Sequence, residues 1–353
     1  MIRLTWLQFR LQAIIVGGIL VLATILLLIN GHQLYHLYNT TVASCASGTD
    51  CSPAEHAFLK NNAVLRQLFG LLILLVPALL GIFWGAPVVA REYESGTFRL
   101  VWTQSVSRDR WLLTKLGLMG IASVIVAGAL GLLFNLWSRP FVKISADRFN
   151  PGTFDDRGVV VIGYALFAFA LGLTAGVVIR RTLPAMAVSL VTFLATRLIF
   201  TLLVRPHLIS PEQMSMTLRS ASGLGLSPSS AGITFTADTP SIPNAWTISS
   251  KIVDAAGNKA SSSALHDVLV NACPAIVNFA GAPTTAGRSA APADQQTAFQ
   301  NCIDQLSKTY HVVVTYQPAS RYWTFQWAEM GIYVGLSVLL AAICFWWVRR
   351  RIA

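Results

Sequence analysis

The sequence predicts an all-α membrane fold. Six transmembrane helices place both termini in the cytoplasm, and one large external α/β domain lies between helices five and six. Three observations predict it. The chain is 54% apolar and only 12% charged, against about 25% charged residues in a soluble domain. Six apolar runs, at about 11–29, 68–89, 113–137, 158–179, 184–204 and 327–348, reach the roughly 20 residues that a helix needs to cross about 30 Å of hydrocarbon. The stretch 205–326 holds no such run and is rich in Ser, Ala, Thr, Pro and Gly. Backbone in lipid must satisfy its own polar groups, which makes each run a helix, and the alternating segments of a barrel are missing.

The opening residues, MIRLTWLQFR, set Arg3 and Arg10 beside Ile2, Leu4, Trp6, Leu7 and Phe9, an amphipathic lead suited to the membrane interface. The first run exceeds the apolar stretch of a signal peptide, and Asn30-Gly31-His32 is not a small-x-small cleavage site, so the helix is expected in the mature chain. With the N-terminus inside, the cytoplasmic face carries twelve basic residues (Arg3, Arg10, Arg91, Arg99, Arg108, Arg110, Lys115, Arg180, Arg181, Arg349, Arg350 and Arg351), while the short external loops 30–67 and 138–157 carry six. Lys and Arg set topology in this way. The net charge of +11 therefore serves orientation, and with no basic stripe interleaved with aromatics no nucleic-acid partner is expected.

In the first external loop His32 and His36 stand four apart, a metal-ligand spacing on a helix, but no carboxylate or thiolate accompanies them, and no metal site is expected. Cys45, Cys51, Cys273 and Cys302 all fall outside, and Cys344 lies in the last span. An even external set suits an oxidising compartment. Of the three connectivities, short-range pairing joins Cys45 to Cys51 and Cys273 to Cys302; four free thiols are the alternative.

Within 205–326 an alternating stretch, Trp246–Asp254, runs into the turn signal Ala255-Ala256-Gly257-Asn258 and reads as a strand. Leu265, Val268, Leu269 and Ala272 share one helical face, as do Phe299, Ile303, Leu306 and Tyr310. Residues 311–316 read as a second strand, and 219–245 as irregular chain. No GxSxG elbow or metal-ligand cluster occurs, so no catalytic centre and no cofactor are expected in this chain.

Uphill transport needs an energy source. Apart from Glu329, at the outer end of the last, no Asp or Glu lies inside the six apolar runs. The chain has no GxxxxGK[ST] phosphate loop. A motor would then be a separate polypeptide docking from the cytoplasm, where residues 91–115, REYESGTFRLVWTQSVSRDRWLLTK, offer the largest charged surface. APVVAREYES continues the second helix outward, and Gly96 suits a left-handed end. Phe98, Val101 and Trp102 lie along the surface. Ser107 caps the next helix, with Asp109 in its first turn.

This inner loop resembles that of ABC transporter permeases of the type 2, or type V exporter, class, in which Glu, Gly-Thr, Ser-Arg and Lys recur around a coupling helix. The closing TYQPASRYWTFQWAEMGIYVGLSVLLAAICFWWVRRR, residues 315–351, is similar to the ends of actinobacterial permeases. The resemblance implies a bacterial cell-membrane homodimer joined through first and fifth helices, on two ABC ATPase subunits that hold ATP and Mg. It implies coupling through Arg91, Glu92, Glu94, Gly96 and Thr97, braced by Ser107 and Arg108. The alternative is that these charges are only membrane anchors, though the acids would weaken an anchor.

Two features lie within the membrane. Ala168, Gly172 and Gly176 form a small-xxx-small face for close helix approach. Arg197 sits in the fifth span, where a charge costs about 2.5–3.5 kcal/mol on the insertion scale. It pairs with Glu329, lines an export path between two fifth helices, or snorkels outward. The function expected is export of a hydrophobic or amphipathic cargo (drug, lipid or peptide-like). A sensing or resistance module with little flux, and an ion-driven secondary transporter, are the alternatives.

Overall fold

A computed structural model describes residues 2–45, 51–97, 107–145, 148–149, 151–218, 224–229, 232–237, 242, 244–260, 301 and 304–351. The chain divides into two compact units, one of residues 1–208 with 322–353 and one of residues 209–321.

The first unit is helical. In chain order it holds α1 (Ile2–Thr41), α2 (Ser52–Asn61), α3 (Ala63–Leu80), a π-helical turn (Gly81–Gly85), α4 (Ala86–Glu94), α5 (Arg108–Trp137), α6 (Arg139–Ser145), α7 (Pro151–Asp155), α8 (Val160–Ile179), α9 (Thr182–Ile199) and α10 (Tyr322–Arg351). Among the described residues, six helical stretches are long and apolar enough to cross a membrane: Phe9–Thr41, Ala63–Glu94, Arg108–Trp137, Val160–Ile179, Thr182–His207 and Ala319–Arg350. Most are longer than the apolar runs, because hydropathy marks only the lipid-facing part of a helix whose backbone bonds continue past it. One expectation changes as a result. Glu92, Glu94 and Glu329 all lie inside continuous helices, Glu329 two turns into α10.

Helix α8 is the hub, with 67% of its most apolar window buried against 6% for α1. Its small face meets the second span backbone to backbone. A Cβ on Gly172 would overlap the Gly81 carbonyl oxygen, and one on Gly176 would sit 2.6 Å from the Ala86 oxygen. From the other side, a Cβ on Gly81 would sit 2.6 Å from the Ala168 oxygen. This is the small-xxx-small mode of packing in lipid, where helices gain by close van der Waals contact rather than by leaving water. Helix α8 ends at Arg180 in the left-handed region, φ 58°, a conformation that costs a non-glycine residue about 1 kcal/mol. It lets the chain reverse within Arg180-Arg181 and start α9 at Thr182.

In the second unit β1 (Glu212–Thr217), β5 (Tyr310–Gln317) and β4 (Trp246–Asp254) form an antiparallel sheet in that order. β2 (Leu224–Ser229) and β3 (Gly232–Ala237) form a separate antiparallel pair. The strands expected over 246–254 and 311–316 are therefore partners, and Ile252 faces Val312 across the ladder. The turn after β4 is closed by Asp254 Oδ1, which accepts from the backbone of Ala256 and Asn258, both at 2.9 Å; those amides hold its carboxyl below the usual range. The stretch 219–245, expected irregular, contains β2 and β3. Its Ser, Gly and Pro content hides an alternation of Leu224 and Leu226, then Ile233 and Phe235. The expected helical face around 265–272 and the Cys273–Cys302 pair lie outside the described residues; of the face expected from Phe299 to Tyr310, Leu306 is helical but Tyr310 opens β5 instead.

Candidate functional site

Ionisable side chains gather at the two ends of the helical unit. At the end carrying the 91–97 segment, Glu92 occupies the last turn of α4. Val89 and Glu92 share a face three residues apart, and that face is buried. Its carboxylate meets Lys115 Nζ at 2.7 Å and accepts from Trp111 Nε1 at 3.0 Å. The Lys115 ammonium also donates to the Val88 carbonyl at 2.8 Å and lies 4.8 Å from the centre of the Trp111 ring. The two charges are buried, and their cost is offset because each finds its opposite and a further dipole. Glu92, expected on a docking surface, thus faces inward and joins the second span to the third.

Glu94 behaves differently. It is exposed, and its two oxygens accept from the Thr182 backbone N–H at 2.9 Å and the Thr182 hydroxyl at 2.5 Å. Thr182 opens α9, so the carboxylate satisfies one of the helix's unpaired N–H groups and sits at its positive end. Arg91 is exposed, and Ser95 caps the end of α4 by donating to the Arg91 carbonyl at 2.8 Å. Gly96 has φ 71° with open space around it, and the Thr97 hydroxyl lies 2.9 Å from that of Ser95. Ser107 caps α5 by accepting from Arg110 N at 3.3 Å, with half-buried Arg108 beside it. Asp109 takes a forked pair of bonds from Arg349 at 2.9 and 2.8 Å, tying α5 to the end of α10. Phe98, Val101 and Trp102 lie outside the described residues.

The opposite end holds a buried network. Arg197 reaches Asp155 at 2.6 Å and Glu329 at 3.2 Å. Arg205 reaches Asp155 at 2.5 Å and both oxygens of Glu329 at 2.9 Å. The Tyr164 hydroxyl donates to Glu329 at 2.5 Å, and its ring lies 3.6 Å beneath the Arg197 guanidinium. Two guanidinium groups against two carboxylates leave no net charge if all four are ionised. Eight residues advance an α-helix by two turns plus about 80°, which would turn Arg205 away from Arg197. The π-helical turn Phe200–Val204 has more residues per turn than α and brings both onto one side.

Sequence reading found Arg197 and Glu329 but missed Asp155, Arg205 and Tyr164. Asp155 stands in what reads as a loop, and Arg205 immediately follows an apolar run. The readable signal was a second arginine on the fifth span, which needs a second acid.

Beside this network Asp156 is buried, with Oδ1 lacking a hydrogen bond and Arg157 Nε 3.9 Å away. Burial pushes its carboxyl up to about 7, against the pull of Arg157 and Arg66. Burial likewise lowers the Arg157 guanidinium to about 10. Arg157 donates to the Ser138 carbonyl at 2.8 Å, and Arg66 to Thr153 Oγ1 at 2.9 Å.

The family described as ABC-2 membrane transporter related matches residues 17–205, more than half of the chain. The chain belongs to this family. No curated protein and no solved structure matches it. It is thus an ABC-2 permease, a multi-pass membrane transport subunit whose family works in general with an ABC ATPase. The matched region of this permease contains the Glu92–Lys115 and Glu94–Thr182 contacts and both arginines of the buried network; Glu329 lies beyond it. The permease also forms the Cys45–Cys51 disulfide. Among its described residues no group of three or more His, Cys, Asp or Glu could hold a metal ion.

Proposed function

We propose that this permease is the membrane-spanning half of an ATP-driven exporter in a bacterial cell membrane. Two copies work on two ATPase subunits that dock from the cytoplasm around Arg91, Gly96 and Thr97. The observation that carries the reading is the double tie at the end of α4. Glu92 binds the third span and Glu94 the fifth, so a force applied to the short exposed segment after them reaches two transmembrane helices through direct contacts. Exposed Arg91 and Thr97 form the docking face, Glu92 and Glu94 relay displacement, and Ser107 and Arg108 brace the returning chain.

The cargo is hydrophobic or amphipathic. A groove of about 600 Å³ between the first, second, third and fifth spans has apolar walls, including Ile19, Phe83 and Met186, with Arg91 and Thr182 among its lining residues. Apolar residues of α1 and α9, such as Ile14, Leu22, Val191 and Leu198, are exposed and are the faces through which copies pair. Arg197, with two carboxylates and a tyrosine ring around it, shapes the opposite end of the path rather than meeting cargo as a bare charge.

Co-expression with a phosphate-loop ATPase encoded in a neighbouring reading frame tests the reading. Arg91→Glu is expected to abolish co-purification of the ATPase and ATP-driven cargo uptake into inverted vesicles, with the permease still folded. Export unchanged in that variant, or export that persists without any ATPase and follows an ion gradient, overturns it. Cargo-stimulated hydrolysis without measurable cargo movement favours a sensing module instead.

A further inference from the structure

A second groove lies at the far end of α1. It opens between Leu27–Tyr35 of α1 and Leu133–Trp137 at the end of α5 with Arg139 at the start of α6, and has a volume of about 410 Å³, within the roughly 300–1,000 Å³ usual for small-molecule sites. Its floor is rigid. The Trp137 indole is 3% exposed, donates to Asn30 Oδ1 at 3.0 Å and packs edge-on against Phe69. Gly31 lets α1 close on that ring, since a Cβ there would sit 3.2 Å from Trp137 Cδ1. Its walls are leucines, with Leu28 and Leu136 exposed.

The mouth is chemically different from the walls. His32, Tyr35 and Arg139 are among its lining residues, with His32 and Arg139 exposed and Tyr35 half-buried, and Lys143 follows one turn along α6 with its ammonium 5.5 Å from the Tyr38 ring centre. Neither 20–41 nor 131–145 contains an Asp or Glu. An apolar slot closed by donors and cations without a matching acid on either wall fits an amphipathic anion. The planar Arg139 fork suits a phosphate ester, the Tyr35 hydroxyl and His32 ring add donors, and the leucines suit an acyl chain. A zwitterionic headgroup would bring its own ammonium against Arg139 and Lys143.

We propose that this groove holds one anionic phospholipid of the adjacent leaflet, with the phosphate at Arg139, Tyr35 and His32 and a chain between Leu28 and Leu136. The site is distinct from the groove beside Arg91 and needs neither ATPase nor cargo. Its test therefore stands apart from the transport reading.

The full-length protein is purified in micelles carrying equimolar phosphatidylglycerol and phosphatidylcholine, and retained lipid is counted by native mass spectrometry. Each cation near an anionic lipid favours it about fivefold. The wild type is expected to retain phosphatidylglycerol at least about fivefold over phosphatidylcholine. Arg139→Gln lowers the ratio about fivefold, leaving only what Lys143 supplies, and Arg139→Lys restores part of it. Lys60→Gln, an exposed cation outside the groove, leaves it unchanged, and Leu136→Trp, which fills the slot, lowers retention of both lipids. Equal retention by the wild type overturns the proposal, as does a preference that Arg139→Gln leaves undiminished or that falls equally in Lys60→Gln. Abolition of the preference by an equal concentration of inorganic phosphate also overturns it, because the site would then take a free anion.

Discussion

The carboxylate of Glu94, at the end of α4, caps the first residue of α9 by accepting from both the backbone N–H and the hydroxyl of Thr182. The two residues are 88 positions apart, so this one contact closes the second span onto the fifth at a single end of the bundle. Because it is exposed, it is a poor source of stability and a good candidate for movement. Glu94→Ala and Thr182→Val are expected to lower cargo-coupled ATP hydrolysis in the assembled complex while ATPase binding and thermal midpoint stay near wild type. Loss of ATPase binding in Glu94→Ala would place Glu94 on the docking face instead.

Glu92 and Lys115 are predicted to act as one unit. Removing one partner of a buried pair leaves a bare charge and costs about 3–5 kcal/mol, whereas replacing both by apolar groups is often close to neutral. Lys115→Met alone should therefore destabilise the permease strongly, and Glu92→Met with Lys115→Met should recover most of the loss. A double-mutant cycle on thermal unfolding in detergent measures this coupling. Glu92→Lys would set two ammonium groups together and is expected to reduce folded yield rather than act on coupling alone.

Arg205 is more deeply held than Arg197, at 1% against 8% exposure, and it spans both carboxylates with a fork that lysine cannot reproduce. Arg205→Lys is expected to lower the unfolding midpoint more than Arg197→Lys. Arg205→Leu, leaving Asp155 and Glu329 facing one remaining arginine, should cost about 3–5 kcal/mol. The ranking of the two lysine variants in one detergent checks the assignment.

Asp156 gives the permease a pH-dependent element. Its carboxyl is raised by burial from an ordinary 3.8 to about 7, so the folded state binds the proton more tightly than the unfolded chain. The stabilisation is present below about pH 4 and is lost as pH rises through about 7, amounting to at most about 4 kcal/mol at 1.36 kcal/mol per pH unit. Asp156→Asn cannot titrate. The gap in thermal midpoint between variant and wild type should widen in favour of the variant from about pH 4 to 7 and then level off. A gap that stays constant with pH would show that Asp156 is not protonated in the folded state.

The six spans are legible in the sequence because lipid imposes one local rule on every residue of a run, and the face of Ala168, Gly172 and Gly176 is legible because its spacing of four is local too. Charge partners are legible only in part: Arg197 and Glu329 stand out as charges within apolar runs and do pair, at 3.2 Å, but the rest of their network does not stand out. Glu329 meets Arg205 across 124 positions and Asp155 meets Arg205 across 50, so nothing near either acid announces the pairing. The inward turn of Glu92 is decided by Trp111 and Lys115 on another helix, and a residue that reads as surface charge on α4 becomes an internal tie. In the second unit, Ser and Gly content outweighed the two-residue alternation of β2 and β3, since composition is averaged over a window whereas a ladder is set residue by residue.

The close approach of α8 and the second span yields a prediction with its own control. Gly172 has no room for a Cβ because the Gly81 carbonyl and the Ala86 nitrogen, 2.9 Å from where it would stand, already fill that space. Both obstacles are backbone, so only a shift of one helix against the other could admit a methyl group. Overpacking of this kind costs typically about 1–3 kcal/mol. Gly17, on exposed α1, has nothing within 4 Å of its own Cβ site, and alanine there gains up to about 1 kcal/mol of helix propensity. Gly172→Ala is therefore expected to lower the unfolding midpoint and the folded yield, and Gly172→Val to lower both further, while Gly17→Ala leaves them unchanged or slightly raised. Equal effects at the two glycines would mean that the contact between α8 and the π-helical turn at Gly81–Gly85 does not hold this bundle together.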